Sequence, residues 1–273
     1  MAPEIVGLLP AAGRWLRFGG SGYAKELFPL LFEGAAGTEA DRLEPRPICE
    51  LALRAMAAAG ACRCVTVVSP EKADVLRVLG RGFDTQMPLA YVVQPEPHGL
   101  PDALRCARPW LGDASVVFAM PDTVFFPESA LAEVQARRIE TSADVMLGVF
   151  PVDEPERLGP VDLGPDGAVR HIHDKPGPTA HRNTWGAAAW SPRFTDFCCA
   201  WDEARERDGG EERALGHAFE AARASKLVVG ALHFPQGAFF DIGTPRGLRS
   251  ALAALASRGV LQADQAATVR SGR

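Results

Sequence analysis

The chain has 273 residues, which at roughly 150 residues per domain allows one large α/β domain or two small ones. With 47% hydrophobic and 23% charged residues it can build a substantial core, which excludes a disordered chain, a collagen-like repeat and a disulfide-stapled miniprotein. Its 29 Lys and Arg against 34 Asp and Glu leave a net charge of −5, so no broad basic surface for nucleic acid or an anionic membrane is expected.

The first apolar run, Ile5-Val6-Gly7-Leu8-Leu9, is short and continuous, as a strand buried on both faces should be, and it ends in the small-residue turn Pro10-Ala11-Ala12-Gly13. Runs of the same kind follow at 64–69, 89–94, 115–120 and 144–149. Helical patterns lie between them at 48–59, 70–80, 101–111 and 128–140, several opened by Pro or an acidic first turn and closed by Gly. Strand alternating with helix over residues 5–150 predicts a doubly wound α/β sheet with right-handed crossovers. After 150 the rhythm changes. Two short strands, 161–163 and 168–172, flank the turn Gly164-Pro165-Asp166-Gly167, and the second half reads as an antiparallel insert. Strands are expected at 185–190 and 226–233, helices at 192–206, 211–224 and 244–256, and loops at 33–47 and 175–178.

No apolar run reaches the roughly 18 residues of a membrane-spanning helix, and Met1-Ala2-Pro3-Glu4 lacks the basic start of a secretion signal, so the expected location is the cytoplasm. The six cysteines, at 49, 62, 64, 106, 198 and 199, fit no C-x-x-C metal spacing and read as structural thiols. His171 and His173 share one face of a strand, but no further ligand stands at a zinc-site spacing.

Two places carry chemistry. Ala11-Ala12-Gly13 after the first strand would let backbone N–H groups approach phosphates, with Arg17 and Lys25 as nearby cations; a structural turn with exposed basic residues fits as well. Neither G-x-x-x-x-G-K-[ST] nor G-x-G-x-x-G is present. Asp122 ends the apolar run 116–120, where ligands of open α/β sheets sit, and could hold a hard cation such as Mg²⁺ or cap a turn. Asp241, in Phe239-Phe240-Asp241-Ile242-Gly243-Thr244-Pro245, could share that cation or organise its own turn.

The order of these pieces, over about residues 5–250, resembles the sugar-1-phosphate nucleotidyltransferases, especially the glucose-1-phosphate thymidylyltransferase and uridylyltransferase group. Ala11-Ala12-Gly13, Arg17 and Ala24-Lys25-Glu26-Leu27-Phe28-Pro29 match the family's L-A-x-G-x-G-x-R loop and its following K-x-L-x-P. Gln94-Pro95-Glu96-Pro97-His98-Gly99-Leu100 is similar to Q-P-x-x-x-G-L, and Pro121-Asp122 falls at the metal-binding G-D. Arg157-Leu158-Gly159-Pro160-Val161 resembles the sugar-site Y-G-V-V, Asp174-Lys175-Pro176 resembles E-K-P, and Asp241-Ile242-Gly243-Thr244-Pro245 resembles D-x-G-T-P. Two departures stand out: Trp15 occupies the position of the second loop glycine, and Asp174 that of a Glu.

The resemblance implies a Rossmann-like nucleotidyltransferase fold, a mixed doubly wound sheet with a small antiparallel sugar-binding insert. It implies one domain over 1–273, with a nucleotide-binding half (about 1–150) and a sugar-binding half with a closing helix (about 151–250). The activity implied is transfer of a nucleotidyl group from dTTP or UTP to a sugar 1-phosphate. A cytidylyltransferase for a sugar or alcohol phosphate, and a non-catalytic nucleotide-sugar-binding regulator, remain open as alternatives, as does a homo-oligomer. By residue, Arg17 and Lys25 would act on the phosphates, Ala11, Ala12, Gly13, Gln94 and Gly99 would bind the nucleotide, Gly159, Asp174 and Lys175 the sugar phosphate, and Asp122 and Asp241 Mg²⁺.

Overall fold

The computed structural model describes residues 4–13, 24–33, 43–80, 85–207 and 213–258. Arg17, Trp15 and residues 34–42 of the expected loop lie outside them. In chain order the first half comprises β1 (Ile5–Pro10), a 3-10 turn (Lys25–Leu27), β2 (Pro29–Glu33), β3 (Leu43–Pro47), α1 (Cys49–Ala58), β4 (Arg63–Val68), α2 (Ala73–Leu79), β5 (Leu89–Val93), α3 (Leu100–Leu111), β6 (Ser115–Ala119), β7 (Thr123–Phe126), α4 (Ala130–Thr141) and β8 (Val145–Pro151). The second half comprises β9 (Val161–Leu163), β10 (Val169–Ile172), β11 (Asn183–Trp190), α5 (Pro192–Arg207), α6 (Leu215–Ala224), β12 (Val229–His233), β13 (Ala238–Asp241) and α7 (Pro245–Ser257).

Seven strands form the central sheet in the order β12-β8-β11-β6-β1-β4-β5. β1 runs parallel to β4 and β6, β4 parallel to β5, and β8 parallel to β12; β11 is antiparallel to both β6 and β8. The doubly wound mixed sheet is as the sequence predicts. Its strands are continuous apolar runs because both faces are covered, and the two-residue period assigns alternate side chains to two cores. Val6, Leu8, Val116 and Phe118 meet α3, α5 and α6 on one face, while Leu9, Val117, Ala119 and Met146 meet α1, α2 and α4 on the other. On the first face Trp190, Phe194 and Phe219 lie fully buried, with Trp190 5.5 Å from Phe194 and Phe194 5.1 Å from Phe219 between ring centroids. These contacts fasten β11 to α5 and α6, each ring contributing about 1.5–3 kcal/mol of burial.

Antiparallel pairing outside the central sheet is confined to small two-stranded units. The expected hairpin is β9 with β10, and beyond it β11 and β12 join the central sheet rather than an insert. The loop reading of 33–47 is corrected at its end, since Leu43–Pro47 pairs antiparallel with Pro29–Glu33 as β3. Pro in two of its five positions hid this strand, and a two-stranded ladder tolerates Pro where the missing N–H faces away from the partner. The helix expected from 211 begins at Leu215. Three strands escaped the sequence reading altogether: β2, the partner of β3, and the pair β7 and β13, which run antiparallel and pack on α7 through Val124, Phe126, Ile242, Ala251 and Leu255.

Candidate active site

Parallel strands deliver their carboxyl ends to one edge of a sheet, and that is where the described residues form a cleft of about 590 Å³. β1 ends in Ala11-Ala12-Gly13, β5 in Gln94 and β6 in the Met120-Pro121-Asp122 turn; Ala12, Gly13, Gln94, Met120 and Asp122 all line the cleft. Because β11 runs against β6, its beginning arrives at the same edge, and Thr184, Trp185 and Gly186 supply the opposite wall. Gly99, Gly159, Asp174, Lys175, Lys25 and Asp241 also line it. Ala11 is buried just behind, its N–H donating to the Val67 carbonyl at 2.7 Å. The structure therefore brings together every expected site residue among those described, with Arg17 outside them.

The convergence of Asp122 and Asp241 is the work of β7 and β13, both missed by sequence reasoning. In the β7–β13 ladder Asp241 stands opposite Thr123, the residue after Asp122, and the Ile242 N–H donates to the Asp122 carbonyl at 3.1 Å. A Cβ built on Gly243 would lie 2.8 Å from Asp241 Oδ1 and 3.7 Å from Asp122 Oδ2, so both carboxylates flank the same point. Asp241 Oδ1 also accepts from the Gly243 N–H at 2.7 Å, so the turn-forming role and the shared carboxylate site coexist. Asp122 is 3% exposed and its Oδ2 pairs with Lys25 Nζ, while its Oδ1 is buried without a hydrogen-bond partner among the described residues. A buried anionic oxygen left unmatched costs several kcal/mol unless a cation or donor reaches it.

Lys25 sits on the 3-10 turn, held in place by its neighbour Glu26, which is fully buried and ion-paired to Lys72 at 2.5 Å. Burial pulls the Lys25 ammonium down, yet Asp122, Asp241 and Glu26 together outweigh it and raise its pKa. A raised lysine keeps its charge throughout the neutral range and loses it, with the attraction to Asp122, only as pH climbs through the raised value.

At the other end, the 157–160 segment and the 173–175 segment are pinned side by side. The His173 N–H donates to the Pro160 carbonyl at 2.9 Å and the Lys175 N–H to the Leu158 carbonyl at 2.8 Å. Gly159 is then gripped from β11, its N–H donating to Thr184 Oγ1 at 3.1 Å and its carbonyl accepting from the Trp185 N–H at 2.9 Å. The Asp174 carboxylate faces the first turn of α6, where a Cβ on Gly216 would be 3.1 Å from Oδ2.

Lining residues to which the sequence gave no role include Arg157, Trp185, Arg213 and Phe239. Arg213 is 7% exposed, and a Cβ on Gly99, whose φ is +109°, would collide with the Arg213 carbonyl at 2.2 Å. No spacing marks Arg213 in Glu211-Glu212-Arg213-Ala214-Leu215; only folding sets it against Gly99.

A two-carboxylate, lysine-bearing cleft at the carboxyl edge of a doubly wound sheet lies where α/β proteins of this class bind their ligands. More narrowly, the chain belongs to the nucleotidyl transferase family, whose sequence model matches residues 20–258. Among curated relatives, glucose-1-phosphate thymidylyltransferase of Neisseria gonorrhoeae is 28% identical over 48% of this chain and 46% of its own length. The low-salt glycan biosynthesis nucleotidyltransferase Agl11 of Haloferax volcanii is 24% identical over 76% of this chain and 56% of its own. The chain thus spans about half the length of the curated relatives it matches. The UTP-bound UDP-glucose pyrophosphorylase of Acinetobacter baumannii superposes with a TM-score of 0.72 over 99% of this chain and 100% of that one, at 19% identity, and shares the fold. No described helix is long and apolar enough to cross a membrane.

Proposed function

We propose that the protein transfers a nucleotidyl group from dTTP or UTP to a sugar 1-phosphate. A phosphate oxygen of the sugar 1-phosphate bonds to the α-phosphorus, the bond from that phosphorus to the bridging oxygen breaks, and pyrophosphate leaves with the electron pair. The observation that carries this reading is the meeting of Lys25, Asp122 and Asp241 at one point of the cleft. Both reactants are polyanions, so the reaction asks for positioning and charge neutralisation rather than for a general base. The named thymidylyltransferase and pyrophosphorylase relatives support the same reaction class.

In this reading Ala11, Ala12 and Gly13 cradle the triphosphate with Arg17, and Lys25 holds phosphate oxygens at the reacting centre. Gln94 and Gly99 meet the base. The Gln94 side-chain nitrogen already donates to the Gly99 carbonyl at 3.3 Å and to Asp102, leaving the amide oxygen to accept from N3–H of uracil or thymine. Gly159 and Asp174 face the sugar and Lys175 its phosphate, with Arg157 and Arg213 adding positive charge to the walls. Asp122 and Asp241 suit Mg²⁺: both are hard oxygen donors, and the unpartnered Asp122 Oδ1 fits a cation completed by phosphate oxygens and water. When bound, the metal offsets the charge between the two phosphates and polarises the α-phosphoryl group. A cytoplasmic location follows from a nucleoside triphosphate substrate.

The test is pyrophosphate release over a matrix of nucleoside triphosphates and sugar 1-phosphates. Turnover is expected with dTTP or UTP, and Asp122→Asn and Asp241→Asn should each lower Mg²⁺-dependent kcat/KM by roughly a hundredfold or more. Turnover with CTP alone would replace this reading with the cytidylyl one. Nucleotide binding without turnover would make the protein a sensor, and near-normal activity in both Asn variants would remove the shared metal site.

A further inference from the structure

One buried carboxylate close to the cleft reaches the proposed chemistry only through Gln94. Asp102, in the first turn of α3, is 3% exposed, and its Oδ2 accepts a hydrogen bond of 2.5 Å from Gln94 Nε2. Its Oδ1 accepts from Arg105 Nη2 at 2.6 Å. Arg105 Nε lies 3.1 Å from Oδ2 of the fully buried Asp202 on α5, whose Oδ1 lies 2.7 Å from Nε of Arg213 on the cleft wall. Charges alternate along this chain from Asp102 to Arg213, so each anion has a cation and none is left isolated in the interior.

From this geometry we propose that Asp102 sets the protein's choice of base, acting through Gln94 as a positioning residue; the inference rests on Gln94 meeting the base. An amide side chain presents a donor at one end and an acceptor at the other, and the two ends are alike in shape, so only its surroundings decide which faces a ligand. A carboxylate and a backbone carbonyl are both acceptors. Asp102 Oδ2 and the Gly99 carbonyl therefore capture the nitrogen of Gln94, and a flipped amide would set its oxygen against both. Gln94 is 2% exposed, so a flip would leave opposed acceptors buried at a cost. The oxygen left for the base can accept from N3–H of uracil or thymine. Cytosine has no hydrogen at N3, so its ring nitrogen and the Gln94 oxygen would be opposed acceptors. Arg105 holds Asp102 from the other side, and the Asp202–Arg213 pair ties that grip to the wall shared with Gly99.

The experiment compares kcat/KM for UTP and CTP, with the preferred sugar 1-phosphate, in wild type, Asp102→Asn and Asp102→Glu. Asn is isosteric but can donate, so Gln94 can turn its nitrogen to the base; the UTP-to-CTP ratio should fall on the order of tenfold, chiefly through KM. Asp102→Glu keeps an acceptor and should retain most of the preference. In a Gln94→Ala background Asp102→Asn should leave the ratio unmoved, which a general loss of packing would not do. Should Asp102→Asn fail to fold, Arg105→Met frees Asp102 from a half-exposed position, and the ratio should fall there too. A wild type that prefers UTP, with variants whose ratio stays within twofold of it, overturns the role of Asp102 alone. A wild type with no preference between UTP and CTP overturns the base reading and this inference with it.

Discussion

Gly159 illustrates how one residue can be chosen by its neighbour as much as by a ligand. A Cβ added there would lie 2.2 Å from Trp185 Nε1 and 2.6 Å from Cδ1, so the pyrrole side of the indole occupies the space beside the glycine. Trp185 in turn rests edge-on against Phe219, with ring centroids 5.2 Å apart, and has no room to retreat into the core. Gly159→Ala should therefore push the indole toward the part of the cleft proposed for the sugar. We expect KM for the sugar 1-phosphate to rise about tenfold while KM for the nucleotide changes little, with about 1–3 kcal/mol of stability lost to overpacking. Steady-state kinetics with each substrate varied in turn checks this, and an equal rise in both KM values would show that the two ends of the cleft are not separable at this residue. The sequence made Gly159 a candidate through its resemblance to a motif, but nothing in the sequence named Trp185, 26 positions on, as the reason for it.

At the scale of elements, the central sheet was legible because each strand is a continuous apolar run punctuated by Gly or Pro, a pattern that two covered faces impose. Short peripheral strands without a hairpin turn between them were not, whereas β9 and β10 were marked by the turn 164–167. β7 follows the Asp122 turn so closely that Thr123-Val124-Phe125-Phe126 reads as a tail of β6, and β13 has only four residues; each becomes a strand through the other. That pairing also decided the candidate metal site, which from sequence alone was two carboxylates 119 positions apart. The β9–β10 hairpin carries a further consequence of clustering. His171 and His173 on this arm stand 4.4 Å apart between ring centroids, and His181 stands 5.0 Å from His173. Burial first, then the repulsion of His171 and His181, lowers the His173 pKa from 6.5, against the weaker pull of Asp162 and Glu220. The unfolded chain then takes up this proton at a higher pH than the folded one, so stability is full above about 6.5 and falls with acidification until the folded value is passed. Thermal denaturation should give a lower Tm at pH 5.5 than at pH 7.5, and His173→Asn should flatten the slope. Equal slopes in the two proteins would remove the histidine cluster as its cause. Because β10 leads straight into Asp174 and Lys175, sugar-phosphate KM should rise over the same interval.

For the whole molecule, the decisive arrangement is that one sheet runs under the entire cleft. The residues proposed for the nucleotide leave β1, β5 and β6, those proposed for the sugar are braced by β11, and β11 is hydrogen-bonded directly to β6. The two proposed halves thus share a ladder, and α5 packs against both α3 and α6. We expect them to unfold as a single cooperative unit despite the change of rhythm at residue 150. A ligand that touches only the nucleotide side should then stabilise the sugar side equally. At a hundredfold excess over Kd, binding to the folded state adds about 2.7 kcal/mol. For a chain of this size that is a rise in Tm of roughly 5–10 °C. The measurement is calorimetry with and without dTTP or UTP plus Mg²⁺, alongside near-UV dichroism of the tryptophans, four of which (110, 185, 190 and 201) lie beyond the first loop. One transition moving as a whole is the expected result. Two transitions, with only the first shifted by nucleotide, would mean that the halves fold separately and that the shared β6–β11 ladder does not couple them. The net charge of −5 enters here as well: the protein's overall field opposes a polyanionic ligand, so in the proposed function the stabilisation comes from the few cations that line the cleft and from the proposed Mg²⁺. Omitting Mg²⁺ should therefore remove most of the nucleotide-dependent shift.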